Sequence, residues 1–513
     1  MLRTNPTAST ISSSYTRSLS SASGVNTSSG TVSASSTTST TTPTTTNPWS
    51  HGGKSHCLTL ALNEAIPEIS VSSARAVASA STVTQITPVV DSTTKSIYVD
   101  TDSDISTFAK KTATLRAIGE YCYVWVVGDT SDTTYWTTGS ASGEKINATI
   151  AQSLADNFDK LYPMVRTVFG DESDELIYGN ALSDMSSYSD TGTMVNIVVY
   201  DIGADYAEDS SSGTVGYFYA KDYYKGYTSS TALKASNAGK YFYIDAYYTA
   251  NYTSMVYSTL AHEFQHMVDW GVKTMATITS SSTLSSSTWF NEMLSMLCED
   301  MMKDYLEQNN ADFTDDDSPF QRLPMFNRRY YATGLEYKTS GTYDVYYSYA
   351  NNYAFGAWLV RNYGGVDLLN ALSTNAYVDT AAITAATGKS MEALLKAYGI
   401  ACLVDEGGTG FNVNLTQSEY AYDGYTYPFD AIDLWELSST LPDLYEKYCE
   451  NEDSYSAYYS FDGPVLFGYN AQQEIRPYGF TLIDVGTATS ETVTLGFNTS
   501  GSSSSQKVYI IIY

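Results

Sequence analysis

Histidine is nearly missing from this chain, with four in 513 residues. Cysteine is scarcely more frequent: Cys57, Cys122, Cys298, Cys402 and Cys449 are widely spaced, and their odd number leaves at least one unpaired within the chain. Such spacing excludes a disulfide framework and a Cys-x-x-Cys metal knuckle. Positive charge is also short, since 27 Lys plus Arg face 56 Asp plus Glu for a formal net charge of -29. That field repels phosphate backbones and anionic headgroups, which argues against nucleic-acid and membrane-surface partners. No apolar run reaches the roughly eighteen residues of a membrane helix; "YCYVWVVG" and "KVYIIIY" are strand-length. A G-x-S-x-G elbow, a P-loop and a dinucleotide fingerprint are absent too, which removes the nucleophiles and phosphate cradles they supply. The opening "MLRTNPTAST" has a positive charge but no apolar h-region, so a secretory signal is not visible and the expectation is that the sequence begins after one.

What is present is polarity without charge. Only 16% of residues are charged, while Ser, Thr, Asn and 46 Tyr carry the polar surface, a profile that fits an extracellular or cell-surface protein. The length exceeds one hydrophobic core and suggests several domains. Residues 1–55 are Ser/Thr-rich low complexity and read as a disordered leader or stalk, because they cannot bury enough apolar surface to offset their ordering entropy. A short β-rich segment follows over 56–110. Residues 111–405 read as mixed α/β, and 406–513, with "GFTLIDV", "ETVTLGF" and "KVYIIIY" between Gly/Ser turns, as an antiparallel β-sandwich. Within the middle region, strands are expected at 121–129, 194–203 and 240–248, and helices at 146–170, 288–308, 353–365 and 390–404.

Two of the scarce histidines fall together in "TLAHEFQHMVDW" (259–270). On a helix, His262 and His266 at i and i+4 share one face and can direct both imidazoles at one ion. Glu263 lies about 100° around the axis. It is badly placed as a ligand but can reach a water activated by zinc, take its proton and pass it to the leaving amine, the chemistry of His-Glu-x-x-His. The bland alternative is a polar helix that happens to hold two histidines. The rarity of histidine elsewhere and the apolar pattern of the flanking "SMVYSTLA" favour the metal.

Catalytic zinc takes three protein ligands and a water. The remaining histidines, His51 and His56, lie in or beside the leader, so the third ligand is expected to be a carboxylate. Glu292 in "TWFNEMLSMLCEDMM" is the first candidate, at the start of the next helix beside Trp289 and Phe290; Glu299, two turns on, is its substitute. Asp344 in "GTYDVYY" is a weaker rival, an echo of the ligand segment of aspartate-liganded zinc peptidases.

"TLAHEFQHMVDW" with "WFNEMLSMLCED" resembles the hyicolysin family of secreted bacterial zinc metallopeptidases, within the gluzincin group. The likeness extends over about 110–405 through "FDKLYPMVRTVFGDE", "VNIVVYDI" and "YFYIDA". It implies an α+β, zincin-like domain with a mixed-sheet part and a helical part. It also implies zinc held by His262, His266 and Glu292, with Glu263 as general base acting on protein or peptide substrates. By the same likeness, Tyr353 in "YAFGAWLVRNYGG" is the candidate oxyanion donor, with Tyr349 and Tyr347 behind it. One departure stands out: the thermolysin-like pattern has an Asp four residues after the ligand Glu, and here that place is Met296. The partner that orients a zinc-bound histidine is then open among Asp269, Glu299 and Asp300. Acidic loops at "TDDDSP" and "DTDSD" are candidate Ca2+ sites, though such loops are usually only solvated. An alternative function is a zinc-binding adhesin on a metallopeptidase scaffold, presenting Tyr-rich contact surface. An aminopeptidase is disfavoured, because no G-x-M-E-N-type segment supplies carboxylates for a free amine.

Overall fold

The computed structural model describes residues 83–101, 106–204, 214–336, 344–403, 411, 420–450, 458–468, 475–484, 492–497 and 507–509, with Leu2–Thr4, Ser13–Ser18, His56–Cys57 and isolated positions between 63 and 72. Its frame is one mixed sheet of β1 (Thr94–Asp100), β2 (Phe108–Ile118), β3 (Cys122–Val127), β4 (Val195–Tyr200), β5 (Thr214–Phe218) and β6 (Lys240–Asp245). In space the order is β5-β6-β4-β3-β2-β1, with the two-residue strand His56–Cys57 along the outer side of β5. β6, β4 and β3 run parallel; β5 is antiparallel to β6 and parallel to His56–Cys57, and β2 is antiparallel to both β3 and β1. The β1–β2 hairpin spans the expected boundary at 110, so residues from 94 onward belong to the same sheet as the middle region.

The parallel strands are covered on both faces and read as continuous apolar runs, as "VNIVVY" does. One face carries helix α1 (Ala148–Phe169), started by Asn147, whose side chain accepts from the Ile150 N–H. Leu154, Phe158, Leu161, Val165 and Val168 recur at helical spacing and are all buried against the sheet. β6 ends in Asp245, whose carboxylate accepts from the N–H groups of Tyr247 and Tyr248 and starts a short helix, Ala246–Asn251.

Three longer helices follow: α2 (Thr253–Asp269), α3 (Thr288–Asn309) and α4 (Asp344–Tyr363). α2 lies against α1, β5 and α3. Two glycines permit close approaches here. A Cβ on Gly216 of β5 would sit 2.9 Å from Thr259 Cγ2 on α2 and 3.0 Å from the Tyr243 carbonyl. A Cβ on Gly356 of α4 would meet Met293 Cγ at 2.7 Å on α3. After α2 the chain makes a π-helical turn, Trp270–Met275, whose buried Lys273 donates to the carbonyls of Asn375 and Tyr377.

Beyond 405 the observed structure differs from an independent module. Tyr427, Phe429, Ile432, Leu434 and Leu482 belong to the same core as α1–α4, and Asn327 Nδ2 donates to the Leu434 carbonyl across that contact. Among the described residues, the C-terminal strands form a four-stranded sheet with Leu2–Thr4 and a two-stranded ribbon with Ser13–Ser18. The rest of the Ser/Thr-rich leader lies outside the described residues. No described helix is long and apolar enough to cross a membrane.

Candidate metal centre

α2 is amphipathic only at its start; from Leu260 to Asp269 every side chain is buried, including His262, Glu263, Gln265 and His266. Burying four polar side chains in one run is costly unless each is given a partner. The partners come from α3, which crosses α2 with Asn291, Glu292, Ser295 and Glu299 turned to the same side.

Each imidazole is held by its Nδ1. His262 Nδ1 donates to Glu299 Oε1 at 2.6 Å. His266 Nδ1 donates between Asn291 Oδ1 at 3.1 Å and Ser295 Oγ at 3.0 Å, the Ser295 hydroxyl proton going to Gln265 Oε1. These bonds fix the Nδ1–H tautomer and turn both Nε2 atoms toward the Glu292 carboxylate, His262 Nε2 at 3.3 Å and His266 Nε2 at 3.8 Å. His262 Nε2 and Glu292 Oε2 are buried and lack a hydrogen bond with good alignment. Among the described residues, His262, His266 and Glu292 are the one group whose ligand atoms converge, all within 4.8 Å of one another.

These residues fit a zinc ion. Ligands about 2.0–2.2 Å from a tetrahedral ion lie roughly 3.3–3.5 Å apart, and two neutral imidazoles with one carboxylate are a catalytic donor set. Burial opposes charge on His262, but Glu292 and Glu299 on its two nitrogens outweigh burial and push it up to about 10, so the place between the two carboxylates favours positive charge. Burial and His262 hold His266 well below its ordinary value, hence neutral. Burial raises Glu292, against the pull of His262 and a hydrogen bond from Tyr349. Glu299 lies below its usual range because Arg322 and His262 outweigh burial.

Glu263, one position beyond His262, lines a cleft with it between α2, β5 and the turn that carries Arg322; Val215, Gly216, Thr259 and Tyr349 complete the walls. A carboxylate beside a histidine–carboxylate ion site, at the floor of an open cleft, can exchange protons with a bound reactant.

A model of the Peptidase M30 family matches residues 119–479. The chain belongs to the peptidase M30 family. It is also 32% identical over 158 residues to the neutral metalloprotease ShpI of Staphylococcus hyicus. That alignment covers 29% of this chain and spans 30% of the relative's length. The hyicolysin-type resemblance of the HExxH and Trp-Phe-Asn-Glu segments thus extends to a family match that reaches well past residue 405.

Against this M30 frame, the structure brings His262, His266, Glu292 and Glu263 together, and of the three candidate orienting carboxylates it selects Glu299. Asp269 instead accepts from Ser286 Oγ at 3.0 Å, and Asp300 is bound by Arg361. Tyr353 is not in the cleft. It is fully buried, and its hydroxyl donates to Asp300 Oδ2 at 3.1 Å. Burial and Asp300 hold that hydroxyl protonated. Tyr349, one turn earlier on α4, is the tyrosine in the cleft, while Tyr347 lies under the Arg329 guanidinium. Ser295 and Arg322 were missed in the sequence. Ser295 had a faint signal, being i+3 from Glu292; Arg322 had none. The Asp315–Asp317 loop is tied to Lys303, Lys447 and the Thr314 N–H, and its carboxylates do not converge; in "DTDSD" Asp100 is buried and accepts from the Gly203 N–H, while residues 102–104 and the Asp344 side chain lie outside the described residues.

Proposed function

We propose that this chain is a zinc-dependent endopeptidase, secreted or displayed at the cell surface, built on a zincin-like catalytic unit that runs from the β1–β2 hairpin into residues 411–482. The observation that carries the reading is the convergence of His262 Nε2, His266 Nε2 and the Glu292 carboxylate, next to Glu263, which with His262 lines an open cleft. His262, His266 and Glu292 would hold the zinc, which supplies Lewis acidity that acidifies water and polarises the scissile carbonyl.

The chain's own residues supply the rest. Glu263 takes the proton of the attacking water and delivers it to the departing amine nitrogen. Glu299, with Asn291 and Ser295, keeps both imidazoles in the tautomer whose Nε2 lone pair faces the ion. Tyr349, which lines the cleft where Tyr353 does not, would donate to the oxyanion of the tetrahedral intermediate. The scaffold-adhesin alternative drew its support from the missing Asp at Met296, and Glu299 makes the contact expected of that Asp.

The test compares wild type with Glu263→Ala, measuring zinc per chain and digestion of casein and a peptide library. One zinc in both proteins and cleavage in the wild type alone is the expected result. Cleavage surviving in pure Glu263→Ala would remove the general base from this scheme, and one zinc per chain with no turnover in either would favour the binding-protein reading.

A further inference from the structure

The carboxylate that orients His262 is itself held from outside. Arg322 ends a 3-10 turn, Pro319–Arg322, anchored by Ser318, whose buried hydroxyl oxygen accepts from the Phe320 N–H at 3.2 Å. From there its guanidinium reaches into the cleft and lays Nη1 at 3.2 Å from Glu299 Oε2 and Nη2 at 3.5 Å from Glu299 Oε1. The same Oε1 accepts from His262 Nδ1 at 2.6 Å, and Oε2 also receives a long contact from Ser258 Oγ at 3.4 Å. The Glu299 side chain is 6% exposed and that of Arg322 15%. The nearest alternative cation on α3, Lys303, is taken by Glu307, Asp315 and Asp430.

We propose that Arg322 is a positioning residue for the metal centre: its two-pronged grip fixes the rotamer and supplies the counter-charge of Glu299, and through Glu299 it aims His262 Nε2 at the ion. Glutamate has three side-chain torsions, and a seven-residue spacing from Glu292 puts Glu299 two turns along α3, so it must reach back to His262. A carboxylate that reaches needs a second clamp, and a planar guanidinium provides one with defined direction. A buried carboxylate without a cation also carries a large desolvation cost. The inference rests on the zinc reading above and concerns affinity for the ion, not contact with substrate.

The experiment is zinc affinity of the full chain by competition with a chromophoric chelator, in wild type, Arg322→Met, Arg322→Lys, Glu299→Gln and the Glu299→Gln/Arg322→Met double variant, with His262→Ala as control. Removing an outer partner of a ligating histidine typically weakens binding about 10–100-fold. Arg322→Met is expected to weaken zinc roughly tenfold, Arg322→Lys to recover part of the loss, and the double variant to bind no worse than Glu299→Gln alone. Wild-type affinity in Arg322→Met, with only KM raised, would overturn the proposal and make Arg322 a substrate contact. Additive losses in the double variant would overturn it as well. If His262→Ala holds zinc as tightly as wild type, the metal centre itself has been misread, a failure distinct from that of Arg322. Should Arg322→Met not fold, Arg322→Lys against Glu299→Gln/Arg322→Lys answers the same question.

Discussion

Glu299 and Asp300 are neighbours on α3, both buried and both paired with an arginine, yet they belong to clusters of opposite character. Glu299 sits in a set with polar atoms to spare: His262 Nε2 and Glu292 Oε2 lack aligned partners, and a cleft opens beside them. Asp300 sits in a closed one. Arg361 grips both its oxygens at 2.7 and 3.0 Å, Tyr353 donates to it, and Arg361 Nε is taken by the Asp430 carbonyl. The same residue types therefore serve different ends, and what separates them is whether the hydrogen-bonding capacity is exhausted. A satisfied buried network ties elements together; an unsatisfied one is prepared for something else.

The sharpest way to break this comparison is to remove one member of each side. Glu263→Ala should lower kcat on the order of 10^2–10^4-fold while the melting temperature and the zinc content stay at wild-type values. Arg361→Met should do the reverse. It leaves Asp300 buried without its cation and should cost about 3–5 kcal/mol in urea unfolding, with zinc affinity kept in the protein that remains folded. A loss of zinc in Arg361→Met would mean that the two clusters are one.

The two tyrosines on α4 make the next contrast. Tyr349→Phe should reduce kcat by roughly 10^2-fold with little change in KM, as expected on loss of an oxyanion donor. Tyr353→Phe should leave kcat/KM near wild type and cost about 1 kcal/mol of stability, one hydrogen bond in a closed cluster. Equal kinetic effects from the two would place Tyr353 in the chemistry after all.

The smallest effect concerns Asp269, just past His266. Burial pushes it up to about 6, only partly offset by the Ser286 hydroxyl and Lys273. Its folded pKa is above the unfolded value near 3.9, so its protonated form favours the fold. That contribution is full below about pH 4 and is lost as pH rises through about 6. Wild type should lose stability relative to Asp269→Asn over this window, and parallel stability curves would show that Asp269 is better solvated than its burial indicates.

How much of this was legible beforehand follows from the range of each interaction. That His262, Glu263 and His266 share one helix and that Glu292 lies near the start of the next follows from periodicity alone. The strands "VNIVVY" and "KYFYID" were readable because a covered parallel sheet needs unbroken apolar runs. Glu299 was readable only as one of three candidates, since choosing it requires the crossing of α2 and α3. Tyr353 is buried against Asp300, and Tyr349, one helical turn earlier, lines the cleft. Tyr349 and Tyr353 are one turn apart on α4, and only the partner waiting on α3 decides which hydroxyl faces the cleft. The boundary expected near 405 turns on similarly long-range contacts: Tyr427 and Leu482 bury themselves in a core whose other members lie far away in the chain.

Gly216 gives the centre a mechanical tolerance. Its hydrogen stands where any side chain would press on Thr259, and Thr259 is i−3 to His262 on the same face of α2. The height at which the helix rides over the sheet edge is thus set by the smallest possible spacer. A methyl group there would act as a shim beneath the turn that carries His262, so this glycine sets the clearance between the sheet edge and that turn.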